Sequence, residues 1–141
     1  MPLPSEPNLT ACYEKLHNQI EFVFPKVSGR EMNFYRSKPH FTKNKLGVLE
    51  PQSNEVVRPT EMRGLLVPGL AFAQNGQRLG RGRAYYDRFL KRTGALRIGV
   101  CFSFQNLTEG WAPEKHDENM NLLITDRICM NFESSLERIL L

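Results

Sequence analysis

Residues 76–88 read GQRLGRGRAYYDR, a stretch holding three glycines, four arginines, two tyrosines and an aspartate. Those residue types at that density fit anion chemistry. Glycines let backbone N–H groups approach an anion with no Cβ in the way. Arg78, Arg81 and Arg83 can place charged forks on phosphate oxygens. A helix starting after the loop adds unpaired N–H groups and the positive end of its dipole. Asp87, about one turn in, can hold a magnesium ion that bridges phosphates. Tyr85 and Tyr86 offer flat faces for a ring. The spacing is not that of a Walker loop, which ends in Gly-Lys-Ser/Thr, nor that of the dinucleotide fingerprint, whose third glycine is misplaced here. Three readings stand on the residues alone. The stretch is a phosphate cradle, a basic surface turn with buried tyrosines, or a nucleic-acid stripe. The stripe would join Arg78, Arg81, Arg83, Arg88, Lys91 and Arg92 to aromatic stacking.

A cradle needs a strand before it and a helix after it. GLLVPGLAFA (64–73) is a continuous apolar run of strand length, suited to a strand covered on both faces in a parallel sheet. Asn75–Gly76 turns the chain. AYYDRFLKRTG (84–94) predicts a helix closed by its basic end and Gly94. Upstream, Leu9, Tyr13, Leu16 and Ile20 predict a helix over about 8–19 with Asn8 as N-cap. EFVFPKV and EMNFYRS read as two strands joined by a turn. A polar loop covers 38–45, LGVLEP is an edge or loop-flanking segment, and 51–63 is a second loop. Downstream, LRIGVCFSF (96–104) is another buried strand. A loop with a short turn of helix covers 105–119, and MNLLITD (120–126) is a last strand. NFESSLERILL (131–141) predicts an amphipathic helix. Strands alternating with helices predict one α/β layered domain over 1–141.

The 141 residues suffice for one domain with a core, and the net charge of +4 is a mild bias toward anionic partners. No apolar run is long enough to span a bilayer and no signal segment opens the chain, so no membrane is expected. Cys12, Cys101 and Cys129 have no metal-ligand spacing. Cys101 and Cys129 sit among apolar neighbours, as buried reduced thiols of a cytoplasmic protein do. His17, His40 and His116 do not cluster, which argues against a zinc site.

The stretch VPGLAFAQNGQRLGRGRAYYDRFL resembles the signature of the 5-formyltetrahydrofolate cyclo-ligase (methenyltetrahydrofolate synthetase) family. That signature reads V-P-G-x-x-F-D, then G-x-R-L-G-x-G-x-G-Y-Y-D-R. FPKVSGREMNFYRS is similar to the family's strand pair, and LGVLEP to its Gly-Ile-x-Glu-Pro element. IGVCFSFQ and APEKHDENMNLLITD resemble its later strand and its Pro-x-Glu-x-His-Asp-x-x-Val-Asp-x-x-x-Thr tail. The likeness runs over about residues 5–126. It implies a three-layer α/β/α fold with a mostly parallel central sheet, of the NagB/RpiA/CoA-transferase kind. It implies conversion of 5-formyltetrahydrofolate to 5,10-methenyltetrahydrofolate with ATP and Mg2+. Carried over by position, Arg78, Gly80, Arg81, Gly82, Arg83, Ala84, Tyr85 and Tyr86 bind the nucleotide. Arg83 and Tyr85 have the catalytic roles, Glu6 and Tyr85 contact the folate, and Asp87 and Asn121 hold the metal.

The chain departs from the family pattern at four points. The family's first helix, with basic residues that reach ATP, and its first strand would precede Met1. The expected domain is therefore a natural truncation, or the sequence starts late, or a second chain supplies the part, and a monomer and a homo-oligomer both fit. Ala84 stands where the signature has its last loop glycine, which costs about 1 kcal/mol if that residue needs a positive φ. Ala73 replaces an aspartate. Asn121 replaces the tail aspartate and keeps an oxygen without its charge. The preceding His116–Asp117 pair is kept, as a loop-ordering contact or a catalytic one. The alternative raised by these departures is a folate- or nucleotide-binding relative with impaired catalysis. A nucleic-acid-binding domain is the third.

Overall fold

The computed structural model describes residues 6–36, 41–43, 47, 49–112, 117–132 and 139–140. The first element is α1 (Thr10–Leu16), shorter than the periodicity predicts. None of its residues is buried, so packing does not extend it. The N-cap is Leu9, not the expected Asn8, and it makes no side-chain cap bond; Asn8 stands one residue earlier, where its Oδ1 accepts from the Thr10 backbone N–H at 3.0 Å and from the Thr10 hydroxyl at 2.6 Å.

The predicted strand pair follows as β1 (Val23–Ser28) and β2 (Glu31–Arg36), antiparallel from Val23↔Arg36 to Ser28↔Glu31. Along β2 the alternation of EMNFYR sends Met32 and Phe34 into the core. The segments 38–45 and 51–63, expected as loops, each contribute a short strand, and the expected edge segment LGVLEP pairs with the first of them. β3 (Phe41–Lys43) and β4 (Leu49–Pro51) form an antiparallel pair, with Phe41 edge-to-face on Phe24 at 4.9 Å. β5 (Val56–Val57) joins β2 through Phe34↔Val57 and buries Val57.

The apolar run 64–73 is not one strand. It splits into β6 (Gly64–Pro68) and β7 (Ala71–Ala73), which belong to different sheets. Pro68 has no N–H with which to continue a ladder. Gly69 lies so close to Phe72 that an added Cβ would fall 2.8 Å from its ring. After the turn come β8 (Arg78–Leu79) and α2 (Tyr85–Leu90), then β9 (Leu96–Val100), β10 (Asn106–Leu107), β11 (Leu122–Ile124), β12 (Ile128–Asn131) and β13 (Ile139–Leu140). The larger sheet runs β13-β12-β11-β9-β6, parallel between β6, β9 and β11 and antiparallel from β11 outward. The smaller sheet runs β10-β7-β8. The α/β class is as expected, with mostly sheet and, among the described residues, two short α-helices.

The helix expected over 131–141 needs correction at both ends. Asn131 closes β12, and Ile139–Leu140 pair with Cys129 and Ile128. Backbone pairing across the sheet edge overrides the helical apolar spacing there. Residues 133–138 lie outside the described residues. The Thr125 hydroxyl makes the preceding turn, accepting from the Arg127 and Ile128 N–H groups at 3.1 and 3.0 Å. Among the described residues no helix is long and apolar enough to cross a membrane.

One apolar cluster ties these parts together, with Val67, Phe72, Phe89 and Leu123 at its centre. Phe89 of α2 meets Phe34 of β2 at 4.7 Å between ring centres, so the helix is fixed to the β1–β2 hairpin. Gly99 faces Phe72 with no spare room: a Cβ there would lie 2.6 Å from Cε1 of the ring and 3.0 Å from Leu123 Cδ1. Gly99→Ala is expected to lower stability by about 1–3 kcal/mol, read as a lower urea midpoint with an unchanged slope. Cys101 is buried, and burial, helped by the Asp126 charge, pushes its thiol up to about 12. Alkylation of the folded protein with iodoacetamide near pH 8 should therefore modify exposed Cys12 and spare Cys101 until denaturant is added, as peptide mass spectrometry would show.

Candidate functional site

The chain leaves β6 at Pro68 and enters β7 at Ala71, and the candidate site is built around that change of sheet. Pro68, the last residue of β6, still pairs with Val100, and Gly69 and Leu70 lie between the two strands. Gln105, itself buried, donates from Nε2 to Gly69 O at 3.2 Å and Leu70 O at 3.1 Å. Its Oε1 accepts from the Phe102 N–H at 2.9 Å. The third carbonyl, Pro68 O, accepts from Arg78 Nη1 at 3.1 Å. A second buried glutamine, Gln77, holds the far end of the β7–β8 turn. It donates to Trp111 O at 2.8 Å and accepts from Trp111 N–H at 3.1 Å and Asn75 Nδ2 at 2.9 Å. Neither glutamine stands out in the sequence. The available signal was a polar residue flanked by aromatics at 102–105, or by glycine and arginine at 76–78.

Arg78 is not an exposed phosphate fork. Its side chain is 5% exposed and its Nη2 donates to Asp87 Oδ2 at 2.8 Å. Its guanidinium lies 5.7 Å from the centre of the Tyr86 ring. Gly80 packs on the same group, where a Cβ would sit 3.0 Å from Nη1. The buried pair explains the Arg78–Asp87 spacing as an internal tie across the loop. Losing one member of such a pair commonly costs about 3–5 kcal/mol, because a charge is left buried alone.

Above this base, Arg81, Gly82, Arg83 and Ala84 are all exposed. Gly82 has φ +77 with open space where a Cβ would point, so glycine is required by the backbone conformation, not by crowding. Arg81 Nη2 lies 4.0 Å from Glu6 Oε1, which brings the N-terminal carboxylate to the loop. Glu6 also acts on Tyr86. Burial first, then the Glu6 charge, holds the Tyr86 hydroxyl un-ionised far above the ordinary tyrosine range, with Arg78 working against both. Glu6, Arg81, Arg83 and Tyr86 thus lie on or beside one loop.

Tyr85 and Arg88 turn elsewhere. The Tyr85 hydroxyl donates to Gly29 O at 3.2 Å and Arg88 Nη2 to Arg30 O at 2.6 Å, with the Arg88 guanidinium over the Tyr85 ring at 5.3 Å. Both moor α2 to the tip of the β1–β2 hairpin. Of the residues of the basic stripe, Arg78 is buried, while Arg81, Arg83, Arg88, Lys91 and Arg92 are exposed. The helix dipole also contributes less than the sequence implied, since α2 has six residues and no side-chain cap.

Asn121 is engaged at β9. Its Oδ1 accepts from the Arg97 N–H at 2.7 Å and from Arg97 Nε at 3.4 Å, and Arg97 Nη1 pairs with Glu118 at 2.6 Å. Arg97 is level with Leu65, whereas the Arg78–Asp87 pair hangs from Pro68, three residues along β6. The Asn121 oxygen that the expected metal site would use is held by Arg97 at the start of β9. Asp87 presents a carboxylate of which Arg78 engages one oxygen. His116 lies outside the described residues, and Asp117 is partly buried. Among the described residues no cluster of three or more His, Cys, Asp or Glu could hold a metal ion by itself.

Ala84 sits at φ +50, ψ 26, in the left-handed region, where an alanine pays about 1 kcal/mol that a glycine does not. Ala84→Gly is therefore expected to raise the thermal midpoint by roughly 3 °C, measured by circular dichroism. A lower midpoint would show that the residue is not left-handed in solution.

The sequence model described as the 5-formyltetrahydrofolate cyclo-ligase family matches residues 5–126. The chain is 28% identical over 122 residues to the 5-formyltetrahydrofolate cyclo-ligase of Mycoplasma pneumoniae, covering 82% of this chain and 71% of that one. It is 38% identical over 126 residues to the mitochondrial 5-formyltetrahydrofolate cyclo-ligase of Arabidopsis thaliana, covering 75% of this chain and 46% of that one. The solved 5,10-methenyltetrahydrofolate synthetase of Aquifex aeolicus superposes with a TM-score of 0.84 at 32% identity, covering 97% of this chain and 71% of that structure.

Proposed function

The chain belongs to the 5-formyltetrahydrofolate cyclo-ligase family, and from that membership we propose that it converts 5-formyltetrahydrofolate to 5,10-methenyltetrahydrofolate at the expense of ATP. The observation that carries this reading is the family match over 5–126, which takes in Glu6 and the whole exposed loop. In the proposed reaction the formyl oxygen attacks the γ-phosphorus of ATP and ADP leaves. The neighbouring folate nitrogen then attacks the activated formyl carbon, and phosphate departs as the ring closes. Such a transfer needs in-line positioning and charge neutralisation more than a strong base.

The residues are assigned from their positions. Arg81 and Arg83, exposed on either side of Gly82, bind the nucleotide phosphates. The backbone of residues 80–84 cradles the same group. Asp87 is the residue that would hold magnesium, which when bound would supply neutralisation of the developing oxygen charge. Tyr86 and Glu6 face the folate. The role expected of Tyr85 at the formyl group passes to positioning, because its hydroxyl is taken by Gly29. One observation favours a binding relative with impaired catalysis: the left-handed Ala84 where the family signature has glycine.

Mixing the protein with 5-formyltetrahydrofolate and Mg-ATP should produce the absorbance of the methenyl product. Arg83→Ala should raise the KM for ATP by about tenfold to a hundredfold, the size of one charge-assisted hydrogen bond, with the fold intact. Ligand binding by calorimetry without any product at high protein concentration would replace the catalytic reading with the binding one. Neither binding nor product would remove both.

A further inference from the structure

Arg78 joins three parts of the loop region by one buried group. Nη1 holds the end of β6 at Pro68 O, Nη2 holds Asp87 on α2, and the face of the group carries Gly80 at the loop's base. The side chain is almost fully enclosed, so it has no path to a nucleotide except through what it touches. Its Nε is buried as well, with no partner among the described residues. Arginine suits this place because its planar fork reaches two acceptors in fixed and different directions, which an ammonium on a flexible stem does not.

Building on the proposed reaction, we infer that Arg78 is a positioning residue: it fixes the direction of the Asp87 carboxylate and offsets its charge, so that a magnesium–polyphosphate meets an oriented oxygen without an uncompensated anion beneath it. On this reading Arg78 never contacts ATP. Its loss acts on the metal-dependent part of nucleotide binding and on turnover, and spares the part of binding that arises from Arg81 and Arg83.

The test compares Arg78→Lys with the unsubstituted chain by calorimetry of ATP binding, with excess Mg2+ and with the metal chelated. The expected result is metal-free ATP affinity within about threefold and a loss of about tenfold in the enhancement that Mg2+ gives, since one misdirected charged contact has that size. In the ring-closure assay kcat should fall at least tenfold while the KM for ATP stays within about threefold. An equal loss of ATP affinity with and without Mg2+ would overturn the inference, because it would make Arg78 a direct ligand. An unchanged Mg2+ enhancement would overturn it too. Arg78→Gln is the second variant should Arg78→Lys not fold: its amide keeps one donor without the planar fork, and it should show the same loss of Mg2+ enhancement with metal-free ATP affinity within about threefold. If the unsubstituted chain yields no product, the proposed reaction fails by itself, and the calorimetric comparison still decides the role of Arg78.

Discussion

Three carbonyl groups at a break between two sheets set the rest of this architecture. Where the chain passes from β6 to β7, the oxygens of Pro68, Gly69 and Leu70 take side-chain donors. Two side chains answer, Arg78 and Gln105. Each comes with an obligation. Arg78 brings a charge below the surface and so needs Asp87. Gln105 has to be carried on a short 3-10 turn, Ser103–Gln105, whose first N–H, that of Ser103, is taken by Asp126 at 2.6 Å. Hydrogen bonds to that carboxylate, chiefly from the Ser103 backbone, keep Asp126 below its usual carboxylate range. The exposed loop therefore rests on backbone hydrogen-bond satisfaction more than on apolar packing.

Much of the framework is legible in the sequence because its signals are local. The alternation of EMNFYR gives β2, the apolar runs give β6 and β9, and the ordered motifs give the family. What escapes is set by partners far along the chain. The run 64–73 is uniformly apolar, so nothing in it tells that Pro68 ends one sheet and Ala71 begins another. Val56–Val57, Asn106–Leu107 and Ile139–Leu140 become strands only because an edge is waiting for them.

The candidate site shows the same division. The sequence singles out the arginine and glycine loop, and the fold sets Glu6 beside it, 4.0 Å from Arg81. Type and spacing do not tell which arginines face water. Arg78 and Arg83 look alike on paper, yet one is enclosed between β6 and α2 and the other is exposed. Asn121 looks like a metal ligand by motif position, and the strand register places it beside Arg97 instead. Burial and register are long-range properties, and a short motif does not encode them.

The mooring of α2 to the hairpin has a dynamic consequence. Tyr85 and Arg88 bond carbonyls that lie 56 and 58 residues earlier in the chain, and Phe89 packs on Phe34 beside them. A six-residue helix has little stability of its own. Its local opening must break those distant contacts at the same time, so the hairpin tip and the arginine loop form one cooperative unit. Amide protons in the two places should then exchange with solvent at a shared free energy of opening, although they sit in opposite halves of the sequence.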